Sequence, residues 1–354
     1  MPMTHKNLII RADANTYIGI GHVMRCIALA QAWQDQGGDV TFLSHCDSDG
    51  LRQRIIEESF EFIPIEKPHP DPYDLIQTLS VLKLHALRAP RSAPCWLVLD
   101  GYHFGPDYQK AIHKAVYRVL VLDDYNHLPH YHADILVNQN IHTSSLHYSC
   151  DRNTVKLLGP EYALLRREFL KYSNCRRKFP EKARKILVTM GGSDPDNVTL
   201  KVIKALNKLD DHDLEVKIVV GPSNPNIERL KSEISLSAFS FQLLASVKDM
   251  PAVMSWADIS VTAGGSTCWE IAYMGLPNCT IVLADNQVPV AKILQKIRVS
   301  VNLGWFRSID PTNFAQIIGR LVQDCGRREA MSVRGKSIIT GRGSQNVVRA
   351  MSEH

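Results

Sequence analysis

The sequence has no closely spaced cysteine pair, no long apolar segment and no dense run of basic residues. Its eight cysteines are scattered and form no C-x-x-C motif, which argues against a disulfide-stapled fold and favours free thiols in a reducing compartment. No apolar run approaches the roughly 18 residues of a membrane span, and the N-terminal residues show no signal-peptide pattern. We therefore expect a cytoplasmic protein with no membrane partner.

The charge of the chain is ordinary in amount and nearly balanced in sign. Charged residues make up 22% of the chain, and the formal net charge of +5 is a mild excess spread along it. Such a balance suits a small anionic ligand better than a nucleic-acid groove, so we expect no nucleic-acid partner. We expect the chain to act as a monomer.

Short apolar, β-branched segments alternate with helical spacings along the whole chain. A length of 354 residues suits two average domains, and strands spaced in this way are typical of parallel sheets buried on both faces. A polar stretch at 166–184 separates the halves. We predict two doubly wound, Rossmann-like α/β domains facing a cleft, at 1–166 and 180–335, with a helix in 336–354 that packs back on the first. The predicted strands are 7–11, 40–44, 60–65, 95–99, 118–122, 134–137, 185–190, 215–220, 239–244, 258–262, 278–283 and 299–303.

The first motif joins the first predicted strand to a helix. Gly19 and Gly21 stand at a strand-to-helix turn, where backbone N–H groups can approach a ligand and the helix N-terminus favours anions. His22 falls on the first turn of that helix and can face the same ligand. A tight turn with a capping histidine explains this segment equally well on its own.

Two further glycine turns follow strands in the second half. Gly191, Gly192 and Ser193 precede a helix, and Ser193 can donate to a phosphate oxygen. Gly264, Gly265 and Ser266 precede another helix. Glu270 lies one turn into that helix, where its carboxylate can accept hydrogen bonds from ribose hydroxyls; a favourable charge in a first helical turn is the simpler explanation. Asn286 and Gln287 form a polar cluster at another strand end.

Two patterns suggest metal ligands but are better explained otherwise. Histidines occur at 127, 130 and 132, but the spacing fits a loop around Pro129, and the sequence fixes no acidic or cysteine partner. Asp123 and Asp124 follow a strand, where a loop contact is the better interpretation. We therefore expect no metal and no cofactor.

Together these motifs resemble one family of sugar-nucleotide enzymes. The stretch 256–277 (WADISVTAGGSTCWEIAYMGLP) with ADNQ at 284–287 is similar to MurG-type enzymes of the GT-B fold. The resemblance is closer to the UDP-2,4-diacetamido-2,4,6-trideoxy-β-L-altropyranose hydrolases of pseudaminic acid biosynthesis. It extends over RAD at 11–13, IGIGHVMRC at 18–26, VLDD at 121–124, LVNQN at 136–140, LLGPEYALLR at 157–166 and GGSDP at 191–195.

The resemblance implies a role for individual residues. It makes His22 the catalytic base and places Glu270 at the ribose, with the 191–193 and 264–266 turns near the diphosphate. The loop 246–250 matches the one that reads uracil through its backbone. The remaining positions that we expect beside the UDP-sugar are Asp13, Arg25, Tyr102, Val247, Asn286 and Gln287.

The expected reaction is hydrolysis at the anomeric carbon with inversion. UDP leaves more readily than an alkoxide, so the acid that ordinary glycosidases use is dispensable, and one base with a cradle of amides suffices. Two alternatives remain open: a GT-B glycosyltransferase that uses a UDP-sugar donor, and a non-catalytic subunit that binds sugar nucleotides. Release of UDP without any acceptor would distinguish the hydrolase from both alternatives.

Overall fold

The computed structural model describes residues 7–15, 18–88, 95–115, 117–192, 194–209, 213–221, 224–237 and 239–354. The chain divides into two compact units. Unit 1 comprises Met1–Arg167 and Gly341–His354, and unit 2 comprises Glu168–Thr340. Within the described residues, the model contains no helix with the length and apolar character needed to cross a membrane.

Unit 1 is built on a seven-stranded parallel sheet. Its strands are β1 (Asn7–Ala12), β2 (Asp39–Ser44), β3 (Glu61–Pro64), β4 (Trp96–Asp100), β5 (Arg118–Leu122), β6 (Ile135–Asn138) and β7 (Val155–Leu158). Its helices are α1 (Gly21–Gln34), α2 (Asp49–Glu57), α3 (Pro72–Arg88), α4 (Pro106–Lys114) and, from the second segment, α13 (Gly343–Glu353). The strand order is β3-β2-β1-β4-β5-β6-β7.

Both faces of this sheet are covered, which explains why its strands are apolar throughout. Successive residues of a strand point to opposite faces. Leu8 and Ile10 of β1 join a core with residues of α1 and α13, whereas Ile9 joins a second core that includes Leu97 and Leu99 of β4. All five side chains are at most 1% exposed.

Helix α13 brings a late segment of the chain into the unit 1 core. Val347, Val348 and Met351 pack in the same cluster as the inner face of α1. Gly343 lies so close to the Ala163 backbone that a Cβ at this position would be 2.1 Å from the Ala163 carbonyl oxygen. Only glycine fits this approach without a shift of the backbone.

Unit 2 contains a six-stranded parallel sheet with the order β10-β9-β8-β11-β12-β13. Its strands are β8 (Lys185–Thr189), β9 (Glu215–Val220), β10 (Ser240–Ala245), β11 (Ile259–Ala263), β12 (Asn278–Val282) and β13 (Ser300–Trp305). Its helices are α5 (Arg167–Leu170, which begins at the last residue of the first segment of unit 1), α6 (Val198–Leu206), α7 (Ile227–Ser235), α8 (Met250–Trp256), α9 (Thr267–Met274), α10 (Val288–Lys296), α11 (Pro311–Gln323) and α12 (Cys325–Ile338).

Each sheet reverses its strand order once, and ligands of such sheets bind outside the carboxyl ends of the strands at that switch point. In unit 1 the reversal lies between β1 and β4, and in unit 2 between β8 and β11. The loops that follow these four strands begin at Asp13, Gly101, Met190 and Gly264. The topology therefore brings the predicted motifs of each unit to its switch point.

The fold class predicted from the sequence is confirmed: both units are doubly wound α/β structures with parallel sheets. The predicted strands correspond to all strands of the two sheets except β7. This edge strand has four residues, and Lys156 interrupts its apolar pattern. The signal is therefore too weak to separate a short edge strand from a loop.

Candidate active site

His22 lies on the first turn of α1, at the switch point of unit 1. Gly19 has φ +76°, a left-handed conformation that favours glycine, and Gly21 has open space where a Cβ would be. The residue that precedes α1, Ile20, offers no side-chain cap to the helix amides. The His22 side chain is 11% exposed. Helix N-terminus and imidazole thus meet at an open surface of unit 1.

Asp100, the last residue of β4, fixes the orientation of this imidazole. His22 Nδ1 lies 2.5 Å from Asp100 Oδ1, and the carboxylate is fully buried. Burial alone would raise the pKa of Asp100, but Arg25 and His22 outweigh it and hold the pKa well below its usual range. An ionised Asp100 assigns the proton to Nδ1 and leaves the Nε2 lone pair of His22 available to accept another.

Arg25, one helical turn beyond His22, joins two buried carboxylates. Its guanidinium donates to Asp100 from Nε and from Nη2, both at 2.7 Å. Its Nη1 donates to both carboxylate oxygens of Asp124, at 2.7 and 2.9 Å. Asn140 also donates to Asp124, at 2.8 Å. One guanidinium between two carboxylates leaves a net charge of −1 in this cluster.

Tyr102 forms a wall beside the imidazole. Its ring meets that of His22 edge-on, with centroids 5.0 Å apart, and its hydroxyl donates to Asp124 at 2.6 Å. Burial and the neighbouring Asp124 raise the pKa of Tyr102, so the phenol stays protonated. The structure thus brings three of the predicted residues, His22, Arg25 and Tyr102, into one hydrogen-bonded cluster.

Asp13 lies in a separate buried network at the same sheet edge. Its side chain is 1% exposed and accepts from Arg11, from the His45 backbone N–H (2.7 Å) and from His103 Nε2 (3.0 Å). Burial opposes its ionisation, but His103 and Arg11 outweigh burial and lower the pKa. Asp74 holds the other side of Arg11. These contacts suit Asp13 to positioning the loop after β1.

In unit 2, the turn after β8 contains an acidic side chain that binds the N-terminus of the next helix. Asp194 accepts from the Val198 and Thr199 amides at 2.8 and 2.9 Å, which occupies the N-terminus of α6. Gly191 has φ +93°. Gly221 lies so close to Gly192 that a Cβ at Gly221 would be 1.9 Å from the Gly192 backbone oxygen. Ser193 lies outside the described residues.

One side-chain amide, that of Gln287, fixes the turn after β11. Gln287 Oε1 accepts from the Gly264 N–H (3.1 Å) and the Leu283 N–H (3.0 Å), which ties the end of β11 to the loop after β12. Gly265 has open space at its Cβ position, and Ser266 precedes α9 without a side-chain cap. The first turn of α9 therefore resembles that of α1.

The other predicted unit 2 residues lie at the carboxyl ends of the same parallel strands. Glu270 is half-buried in the first turn of α9. Val247 is half-buried just after β10, next to Ser246, which has φ +58°. Asn286 is half-buried in a 3₁₀ turn after β12. These residues surround one edge of the sheet in unit 2.

Sequence reasoning placed neither of two central residues in the His22 cluster. Asp100 and Asp124 hold His22, Arg25 and Tyr102 in place, yet each reads in sequence as an acid at a strand end. The available signal for Asp100 is four apolar residues, 96–99, that end in a carboxylate beside the switch point. For Asp123 and Asp124, the predicted loop contact is what the structure contains.

The fold supplies an acidic partner that the sequence does not fix for the histidines at 130 and 132. Asp151 lies against both, at 3.0 Å from His130 Nε2 and 3.1 Å from His132 Nδ1. An isolated backbone bridge between Tyr131 and Cys150 brings the segments together. Pairing between distant loops of this kind leaves no periodic trace in a sequence. His127 takes a different partner, Asp123, at 2.6 Å.

Comparison with known proteins identifies the second unit most clearly. Residues 186–303 match the glycosyltransferase family 28 C-terminal domain. Over 97% of both chains, the sequence is 23% identical to the spore coat polysaccharide biosynthesis protein SpsG of Bacillus subtilis. It is 26% identical to the UDP-2,4-diacetamido-2,4,6-trideoxy-beta-L-altropyranose hydrolase of Campylobacter jejuni, over 63% of this chain and 73% of that protein.

A third relative is longer than this chain. An uncharacterised protein of Methanocaldococcus jannaschii is 25% identical over 79% of this chain, and the match spans 56% of that protein's length.

Solved structures establish the fold. MurG of Acinetobacter baumannii superposes with a TM-score of 0.64 at 17% identity, covering 99% of this chain and 100% of that one. The spinosyn rhamnosyltransferase SpnG, complexed with thymidine diphosphate, superposes with a TM-score of 0.64 at 14% identity, covering 98% and 100%. The chain therefore has the GT-B fold.

Proposed function

We propose that this chain is a UDP-sugar hydrolase that cleaves UDP from UDP-2,4-diacetamido-2,4,6-trideoxy-β-L-altropyranose, a step of pseudaminic acid biosynthesis. The observation that carries the proposal is the His22–Asp100 pair at the N-terminus of α1, with Nδ1 held 2.5 Å from a buried carboxylate. The Campylobacter jejuni relative is named for this reaction. The GT-B fold suits a sugar nucleotide as substrate.

In the proposed reaction, His22 acts as a general base. Nε2 takes a proton from water as the water oxygen bonds to the anomeric carbon, and the bond from that carbon to the β-phosphate oxygen breaks with its electron pair leaving on UDP. Asp100 is a positioning residue that stabilises the imidazolium. Attack from the face opposite UDP inverts the anomeric centre.

Unit 2 supplies the nucleotide site in this proposal. The uncapped first turn of α9 offers backbone amides and the positive end of a helix dipole to the diphosphate, with the Gly191–Gly192 turn beside it. Glu270 accepts from the ribose hydroxyls, and the backbone at Val247 reads uracil. Asn286 contacts the substrate, and Gln287 shapes the turn through Gly264.

We propose that the reaction needs no metal ion. Asp100 and Asp124 are the carboxylates nearest to His22 in the cluster, and Arg25 already occupies them with a guanidinium. A divalent cation at that place would have to displace Arg25. Helix amides supply the positive potential that stabilises the departing diphosphate.

A glycosyltransferase is the second candidate, because residues 186–303 match a glycosyltransferase domain and the whole chain superposes on MurG. In that case His22 removes the proton of an acceptor hydroxyl in place of water. The two functions share every residue discussed above and differ only in the nucleophile. An acceptor-free assay therefore separates them.

The experiment incubates the full chain with the UDP-sugar and no acceptor, in ¹⁸O-water with excess EDTA. We expect UDP release, ¹⁸O in the sugar alone, and a first-formed anomer of inverted configuration by proton NMR. Release that requires an added acceptor would identify a transferase. Label in the UDP phosphate would place the attack at phosphorus and remove the role given to His22. Loss of activity in EDTA would overturn the metal-free mechanism.

A further inference from the structure

Two loops of unit 1 pair outside the sheet and present polar side chains on one side. The Tyr131 N–H donates to the Ser149 carbonyl (2.9 Å), and the Asp151 N–H donates to the Tyr131 carbonyl (3.3 Å). Because side chains alternate along an extended segment, the buried Tyr131 points inward while its neighbours His130 and His132 share the opposite side. The pairing brings Asp151 to that same side.

Three potential metal-ligand atoms meet there. Asp151 Oδ1 lies 3.0 Å from His130 Nε2 and 3.1 Å from His132 Nδ1, and the donor atoms of the three residues all lie within 4.8 Å of one another. Zinc bonds of about 2.0–2.1 Å at tetrahedral angles separate neighbouring ligand atoms by about 3.3 Å. A small adjustment of the side chains therefore accommodates the ion.

The surroundings of these ligands are ordered in the way that metal sites require. His130 Nδ1 lies 2.8 Å from Ser149 Oγ, which leaves Nε2 for the metal. The buried Gln109 accepts from the His132 N–H at 2.9 Å and fixes the backbone. These two contacts fix the orientation of the His130 ring and the backbone of His132.

We propose that His130, His132 and Asp151 bind a divalent transition-metal ion of the zinc class, with solvent in the remaining position. Two imidazoles and one carboxylate are a ligand set that zinc accepts, whereas magnesium and calcium favour oxygen alone. The side chains are 22–37% exposed, so the ion enters directly from solvent. Within the part of the chain that the structure describes, this is the one such group of three.

The site has a structural role in this proposal. It joins the loop after β5 to the loop after β6, and both loops also converge on Asp123, which accepts from Tyr131 (3.0 Å) and Tyr148 (2.5 Å). It shares no residue with the His22 cluster. A bound ion therefore raises the stability of unit 1 and takes no part in the reaction at His22.

The test uses full-length protein with its affinity tag removed, stripped of metal and titrated with Zn²⁺ by calorimetry. We expect one equivalent to bind, a higher melting temperature, and the visible spectrum of tetrahedral Co²⁺ when cobalt is used. His130→Ala and Asp151→Asn should each weaken binding by more than about 100-fold, and Ser149→Ala by about 10- to 100-fold, the usual cost of an outer-shell partner.

The matched control is His113→Ala. His113 Nε2 lies 3.0 Å from Asp134 Oδ2, a half-exposed pair in the same unit with no second histidine in its group, and its loss should leave zinc binding unchanged. Failure of the wild type to bind one equivalent, or equal binding by Asp151→Asn, would overturn the site, provided that circular dichroism shows the variant folded. Zinc loss that also abolishes UDP release at a temperature where the protein is folded would overturn the structural role.

Discussion

The two units share one sheet topology but place different chemical groups at its switch point. At the switch point of unit 1, charged and titratable side chains converge in one cluster: His22, Asp100, Arg25 and Asp124. At that of unit 2, glycine turns and helix amides lie beside Gln287, and the acidic Asp194 is bound to the amides of α6. Titratable groups can move protons, whereas amides are fixed dipoles. The contrast suggests catalysis in unit 1 and nucleotide binding in unit 2.

The same difference extends into the sheets. Unit 2 buries a neutral polar chain across its central strands, in which Asn278 bonds Ser260, Thr262 and Thr280, and Thr280 bonds Ser300. Unit 1 buries an ionic network instead, with Arg11 between Asp13 and Asp74. Satisfied neutral groups do not titrate, so only unit 1 couples this part of its structure to pH.

The largest expected effect is on the chemical step. His22→Asn should lower kcat by about 10²- to 10⁴-fold, the usual contribution of a general base, and leave UDP affinity unchanged because the proposed nucleotide site lies in unit 2. Steady-state kinetics with the UDP-sugar and calorimetry with UDP measure the two quantities. A His22→Asn enzyme with near-normal turnover would remove the proposed base.

Asp100→Asn is the companion variant. An amide at this position no longer selects the Nδ1 proton of His22, so kcat should fall while the KM stays near its wild-type value. Its melting temperature must be compared with that of the wild type, because Arg25 also loses a charged partner. If kcat and the folded fraction of Asp100→Asn fell by the same factor, Asp100 would have only a structural role and would not position His22.

A smaller effect is expected in unit 2. Glu270→Ala should weaken UDP binding by roughly 10- to 150-fold, since a hydrogen bond to a charged group contributes about 1.5–3 kcal/mol. At saturating substrate, kcat should change little. Calorimetric titration of UDP into both proteins measures the change, with Glu270→Gln as the isosteric control. Unchanged UDP affinity in Glu270→Ala would contradict the ribose contact.

The smallest effect concerns acid stability. Asp13, Asp100 and Asp124 have lowered pKa values in the folded state, so the stability that they contribute is present above the unfolded value near 4 and is lost as the pH falls below it. At pH 3 we therefore expect unit 1 to have lost part of the stability that these carboxylates contribute at neutral pH. Burial raises the pKa of Asp194 in unit 2, so its contribution has the opposite sign.

Hydrogen exchange, corrected for its intrinsic pH dependence, measures both units in one experiment. Between pH 6 and pH 3, amides of unit 1 should lose more protection than those of unit 2. The Asp194→Asn variant serves as the control, because it removes the opposing contribution. Earlier loss of protection in unit 2 would mean that the ionic network of unit 1 does not control its acid stability.

The fold was accessible from the sequence because it follows from local patterns. Runs such as Leu8–Ile10 and Trp96–Leu99 are apolar at every position, which only a strand covered on both faces requires. Glycine turns such as Gly19–Gly21 mark where those strands pass into helices. The four-residue edge strand β7 lacks the first of these signals, because Lys156 interrupts its apolar run.

The site could be predicted only in part, because residues far apart in the sequence meet there only in the tertiary structure. Gly21 and His22 share a turn and can be recognised together, but Asp100 and Asp124 reach Arg25 from other strands, 75 and 99 residues away. Asp151 likewise reaches His130 across a loop pairing. The apolar run before Asp100 marks the end of a buried strand, but it does not show that this carboxylate orients a histidine.

The packing of α13 has a consequence for how the protein is made. Val347, Val348 and Met351 complete the core behind α1, the helix that carries His22, but the ribosome adds them only after all of unit 2. At about 5–20 residues per second, the 173 residues of Glu168–Thr340 delay them by roughly ten to thirty seconds. During that interval the back of α1 lacks its cover, so unit 2 has the opportunity to finish folding first although it is synthesised second.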